Sequence, residues 1–277
     1  MTKPLLEENV LLAQQGDAVA LEAVVRAVQK DIYNLALRML WCPDDAADAT
    51  QEILLKLITR LASFEGRSAF RTWAYRVALN HLLNQRKSRV EAEQPSFEQF
   101  ADDLAQGLSE PTSRESDPEY ALLVQEVRVG CTHAMLICLD REHRAAFVLG
   151  EILELSNSEG AQVLGISDVA YRKRLSRAKR RLVDFMAGHC GLVNTEAACR
   201  CHRRIDCAVE QGVVRHEKLL FAGDSKDAEA ANASVAELSA LQRAVAVYRS
   251  NPQFDAPKEP LETLKPLFNG QALKCLQ

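Results

Sequence analysis

The chain has 277 residues, 47% of them hydrophobic and 26% charged, which suits about two ordinary domains and excludes wholesale disorder. Twelve Gly and nine Pro are too few for a collagen-like, low-complexity or turn-rich all-β chain. The net charge of −4 gives no global positive field, so a nucleic-acid partner has to be read from local charge. The opening MTKPLLEENVLLAQQGD lacks the basic segment and apolar run of a secretory signal. Nowhere do about 18 apolar residues run together, so no membrane partner is expected, and the expected location is the cytoplasm.

Residues 5–91 carry helical periodicity throughout. A first helix is expected from about Asp17 to Leu40, with Asp17 as N-cap after Gly16. A break at Trp41-Cys42-Pro43 leads into a second, on which Ile53, Leu54, Leu57, Ile58 and Leu61 form the buried stripe. Asp48, Gln51 and Glu52 share the opposite face at i, i+3 and i+4, whereas Asp44 and Asp45 answer the helix dipole. The next segment runs SFEGRSAFRTWAYRVALNHLLNQRKSRV from Ser63 to Val90. Phe70, Trp73, Ala74 and Val77 make its core stripe, and Arg76, Asn80, Asn84 and Lys87 recur every three or four residues on another face. That polar face suits base edges and phosphates of a nucleic acid, and the loop Phe64-Glu65-Gly66-Arg67-Ser68 suits a pocket with Phe64 as its wall. Trp73 is read as core, and Arg86, Lys87 and Arg89 as a phosphate-binding cluster.

Residues 92–119 hold eight acids and one base, Arg114, a local charge of −7 with scattered Pro and Ser. They read as a flexible acidic linker. Residues 120–187 return to helix and end in helix-turn-helix grammar. Ser156 and Glu159 make a capping box, Gly165 ends that helix, and Ser167 caps the next. On the second helix Tyr171, Leu175, Ala178, Leu182 and Phe185 form one stripe. Residues 172–181 contain seven bases and no acid. A cationic helix so presented fits the DNA major groove. Ser167, Arg172, Lys173, Arg174, Ser176 and Arg177 are placed to reach bases and nearby phosphates, and Lys179 to Arg181 backbone or solvent.

The segment LDREHRAAFVLGEILELSNSEGAQVLGIS…RKRLSRAKRRL resembles the promoter-binding C-terminal domain of extracytoplasmic-function (ECF) sigma factors of the sigma-70 family. Two departures stand out: Gly160, where that family usually has a branched apolar residue, and Asp168-Val169-Ala170 in place of a small-Gly-Thr stretch. The earlier element resembles the family's F-x-G-x-S-x-F-x-T-W-L-Y-R-I-A-x-N, which recognises and melts the minus-10 promoter element. The resemblance implies an all-α chain in which a sigma region 2 bundle (5–91) and a sigma region 4 helix-turn-helix (120–187) flank the linker. It implies core RNA polymerase as partner, met at its large-subunit clamp helices by Asp48, Gln51 and Glu52. Promoter DNA is the second partner, and an anti-sigma factor is a further one that the family admits. The linker's place in the channel where RNA later runs is likewise implied only by the family.

Residues 188–277 form a partly helical C-terminal extension, with one amphipathic helix expected near Val235 to Ser250 that carries Leu238, Leu241, Val245 and Tyr248 on one face. Its Cys/His patch supplies Cys190, Cys199, Cys201 and Cys207 with His189 and His202. The spacing C-x8-C-x-C-x5-C matches no standard zinc finger, and zinc ligands, redox thiols and reduced structural cysteines stay open. Cys42, Cys131 and Cys138 lie in apolar helical pattern and read as small buried hydrophobes. No catalytic residue, metal ligand or cofactor is assigned. No Ser/His/Asp set, phosphate loop or paired carboxylates point to an enzyme. The alternatives to a sigma factor are a helix-turn-helix regulator, or a thiol- or zinc-sensing DNA-binding protein, that does not bind polymerase.

Overall fold

The computed structural model describes residues 2–85, 95–109, 117–215, 217, 219–221 and 239–268. Among these described residues twelve α-helices follow in chain order: α1 (Lys3–Gln14), α2 (Ala18–Leu40), α3 (Pro43–Arg60), α4 (Phe70–Asn84), α5 (Phe97–Gln106), α6 (Pro118–Ile137), α7 (Arg141–Phe147), α8 (Asn157–Leu164), α9 (Asp168–His189), α10 (Ile205–Glu210), α11 (Ala240–Arg249) and α12 (Glu259–Leu264). Among the described residues the only β pairing is an isolated bridge between Cys190 and Cys199. No described helix is long and apolar enough to cross a membrane.

Local chemistry sets the helix limits where the sequence marks them. The Asp17 carboxylate accepts from the Val19 and Ala20 N–H groups at the start of α2, satisfying donors that a helix end leaves open. Trp41 ends α2 in the left-handed conformation (φ 56°), and Pro43 begins α3, where its missing N–H costs nothing. Ser156 and Glu159 form the expected capping box on α8, and Gly165 closes it at φ 65°.

The chain packs as two compact units. In the first, α1 to α4 bury Leu21, Val24, Val28, Ile32 and Leu35 of α2 and the five apolar residues Ile53, Leu54, Leu57, Ile58 and Leu61. Here α8 lies against α4 and α12 against α3. The segment before α12 is tied to α2 by Asn34, whose side chain donates to the Phe254 carbonyl (2.7 Å) and accepts from its N–H (2.9 Å). Gln29 adds a bond to the Pro257 carbonyl (2.9 Å).

The second unit contains α5, α6, α7, the greater part of α9, α10 and α11. Its structure corrects the reading of 92–119 as flexible throughout. Residues 97–106 form α5, opened by a Ser96/Gln99 capping box. Phe97 and Phe100 pack on the Phe185 ring (5.1 and 5.7 Å), and Leu104 is buried. Asp103 pairs with Arg204 (2.6 Å). The apolar i, i+3, i+7 spacing of these three residues outweighs the acidic composition around them. The tail helix α11 is shorter than expected. Val245 and Tyr248 are buried, Leu241 is exposed, and Leu238 lies outside the described residues.

Arg144, 1% exposed, donates to the carbonyls of Leu136 (3.0 Å), Ile137 (3.3 Å) and Leu139 (3.0 Å) at the end of α6. Leu136 and Ile137 lie in the last turn of α6, where helix carbonyls run out of intrahelical partners; that of Leu136 also accepts the Leu139 N–H (3.1 Å), and a cation there complements the dipole. Replacing Arg144 by Leu is expected to remove these three buried donors and to destabilise the fold by about 2–4 kcal/mol, read as a lowered urea midpoint.

Candidate promoter and polymerase surfaces

Three surfaces gather the residues singled out by the sequence. On α3, Asp48 and Glu52 are exposed and Gln51 is half-buried. His81 of α4 lies behind Glu52 (Nε2 to carboxylate 3.7 Å) with Lys56 at its other nitrogen. Burial, reinforced by Lys56, pushes the His81 pKa below its ordinary value. The imidazole therefore stays neutral near pH 7 and leaves the Glu52 charge available.

The second surface is an open cavity of about 530 Å³ at the start of α4, whose rim includes Arg60, Arg67, Ser68, Arg76, Asn80 and Gln162. Phe64 and Trp73 lie at its base. Phe64 is buried, with ring centroids 5.4 Å from both Phe70 and Trp73. It thus offers an edge at the floor rather than a free-standing wall. Trp73 is half-buried and serves core and cavity together. Asn84 is exposed and donates to the Asn80 carbonyl (2.7 Å), and Lys87, Arg86 and Arg89 lie outside the described residues. Two α1 residues that the sequence did not single out hold the loop. Gln14 donates to the carbonyls of Leu61 and Phe64 (2.9 and 2.8 Å). Glu7 accepts from the Phe70 N–H (2.9 Å) and caps α4. Only their register opposite the loop, set by tertiary packing, reveals them.

The third surface is α9. Ser167 is exposed and caps the helix through the Ala170 N–H (3.3 Å). Arg172, Lys173, Ser176, Arg177 and Arg180 are exposed and share roughly a 140° arc at about 100° per residue. Arg174 lies off this arc, paired with Glu142 (2.7 Å). Lys179, expected at backbone or solvent, pairs with Glu151 here (2.7 Å). Arg181 lies over the Phe97 ring at 5.2 Å. The departure at Gly160 also finds its reason. A Cβ there would stand 2.2 Å from the ring of Tyr171, itself wholly buried.

An all-α chain with a helix-turn-helix, an isolated cationic arc and a polar cavity bounded by arginines defines a DNA-reading protein. Comparison with known proteins makes the class specific. Residues 24–91 match the model for sigma-70 region 2, and residues 130–182 that for sigma-70 region 4. The chain is 30% identical over 190 residues to the RNA polymerase sigma-H factor of Pseudomonas aeruginosa, covering 66% of this chain and 94% of that one. It is 29% identical over 187 residues to the ECF RNA polymerase sigma-E factor of Escherichia coli (66% and 93%). For the ECF sigma factor SigW of Bacillus subtilis the figures are 26% over 182 residues, 64% and 95%. This chain belongs to the ECF-type RNA polymerase sigma factors.

Gly160→Ala is expected to destabilise the helix-turn-helix. The roughly 1 kcal/mol gained in helix propensity is smaller than the overpacking cost of about 1–3 kcal/mol, which the closeness of the ring puts at its upper end. Chemical denaturation of the full chain checks the sign.

Proposed function

We propose that the chain binds core RNA polymerase and directs it to promoters through two DNA-reading surfaces, carrying no chemistry of its own and acting in the cytoplasm. The observation that carries the reading is the cationic arc of α9, without an ion-pair partner among the described residues, in a chain of net charge −4. Phosphate attraction from that arc positions the helix, and its arginines discriminate guanine edges. In this reading Arg172, Lys173, Ser176 and Arg177 meet the minus-35 element with Ser167 at the helix start. Arg180 joins them from its place on the arc, and Arg174 contributes less because Glu142 already holds it. The α4 cavity receives a base from the displaced minus-10 strand, with Asn80 and Arg76 hydrogen-bonding it and Arg67 and Ser68 at its mouth. Asn84 and Lys87 extend the track toward the phosphates. Asp48, Gln51 and Glu52 dock on the polymerase clamp helices. The 5–91, 92–119, 120–187 and 188–277 division describes these tasks, even though α8 and 254–268 pack with the first unit.

The deciding experiment is in vitro transcription with sigma-free core polymerase on genomic fragments that include the region upstream of the protein's own gene. Specific transcript starts and co-elution with core polymerase are expected; absence of both defeats the reading. Arg177→Ala is expected to cost about 1–3 kcal/mol of promoter affinity if it reads guanine, or to lower the salt slope by about 1 if it holds phosphate. Arg174→Ala should do less in the same binding assay. Asp48→Arg with Glu52→Arg is expected to abolish co-elution with polymerase while leaving the thermal unfolding midpoint nearly unchanged, since both side chains are exposed.

A further inference from the structure

The cysteines of the extension do not group as their spacing suggests. Cys190, Cys199 and Cys201 line a small enclosed cavity in the second unit, and the fourth thiol there is Cys131 of α6, not Cys207. The cavity measures about 20 Å³, room for one body the size of a water. Its surroundings are built closely. The Gly191 N–H donates to the Cys199 carbonyl (3.1 Å) in the bridge that sets Cys190 beside Cys199. A Cβ at Gly191 would stand 2.3 Å from that oxygen, so only glycine admits the approach. Arg200 ties the loop by bonds to the carbonyls of Thr195 (2.6 Å) and Cys199 (2.9 Å).

Two guanidiniums reach the same cavity. Arg204 is neutralised by Asp103. Arg128 is not: it is 6% exposed, and its Nε and one Nη are buried without a hydrogen-bond partner. A buried cation without a counter-charge is costly. The neighbours able to become anions are the thiols, and Cys201 is the one whose charge bears on Arg128. Burial, reinforced by the Cys190 thiol, pushes Cys201 up to about 12 and Cys199 up to about 11, and burial raises Cys131 and Cys190 as well. Buried thiolates become stable when a metal ion takes the place of their protons.

We infer that Cys131, Cys190, Cys199 and Cys201 bind one thiophilic d10 cation of the zinc class, with Arg128 as the counter-charge to the resulting thiolate centre. In the side-chain conformation of this structure no three His, Cys, Asp or Glu among the described residues are gathered to hold an ion. Binding therefore draws the sulfurs inward by rotation about their Cα–Cβ bonds. Four thiols and one divalent ion give a tetrathiolate of charge −2 and four protons released to solvent, and the Arg128 guanidinium offsets half of that charge.

The test uses the full-length chain, reduced, metal-stripped and kept without oxygen. Zn²⁺ is titrated against a chromophoric chelator, and Co²⁺ is added separately to read sulfur-to-metal charge-transfer absorption, whose intensity counts thiolates. One ion per chain and an intensity for three or four thiolates are expected. Cys131→Ser and Cys201→Ser should each weaken binding beyond the roughly 10- to 100-fold that follows loss of an outer hydrogen-bonding partner. Arg128→Met should weaken it about ten-fold, and Cys207→Ser should leave it unchanged. A wild-type chain that binds no Zn²⁺, or shows fewer than three thiolates by Co²⁺, overturns the inference even if a serine variant fails to fold. So does a site lost with Cys207→Ser and retained with Cys131→Ser.

Discussion

The arrangement of the second unit depends on one buried cation. Arg144 fills the end of α6 with three charge-assisted bonds, and in doing so fixes the direction in which α7 leaves the turn. From that direction follow the positions of Glu142 on α7 and of Glu151 in the wide helical turn after it, which take up Arg174 and Lys179 of α9. The Arg174 pair, open to solvent on its Glu142 side, adds little stability by itself, as surface ion pairs do; the Glu151 carboxylate is better shielded. Their common effect is to divide the bases of α9 into a neutralised side and a free one. The direction in which the helix presents its charge to DNA is thus set by a residue that never faces DNA.

The first unit solves a different problem, holding a polar cavity open beside an aromatic core. Phe64, Phe70 and Trp73 supply the apolar floor, and Glu65, Gly66 and Arg67 of the loop are exposed. α1 supplies what the loop lacks: Gln14 satisfies two loop carbonyls and Glu7 caps the helix that carries Asn80. A cavity meant to receive a base has to keep its shape without that base, and bonds from a neighbouring helix do this at less cost than filling the space would.

Much of this was legible in the sequence because it rests on local rules. N-caps, the capping box, the left-handed Gly165 and the apolar stripes of α3, α4 and α9 follow from short-range chemistry and appear where the spacing put them. Features that depend on distant partners were not legible. α5 hid behind acidic composition because its three apolar residues needed Phe185 and the extension to become a face. Cys131 read as an ordinary buried thiol, since it lies far before Cys190, Cys199 and Cys201 in the sequence. The seven bases of α9 could be counted, but dividing them into paired and free required knowing where Glu142 and Glu151 lie. Gly160 stood out as a departure, although its cause, the ring of Tyr171, is only eleven positions away.

Gly160 and Tyr171 occupy a single volume between them, one contributing nothing beyond its backbone and the other a whole ring. Neither can drift alone. A side chain at 160 has no room while the tyrosine stays, and a smaller residue at 171 leaves a void while the glycine stays. The two positions are therefore bound to change together over evolutionary time. Chains that carry a branched residue at the first should carry a reduced one at the second, and a lineage that has made the exchange is held to it by the instability of either intermediate.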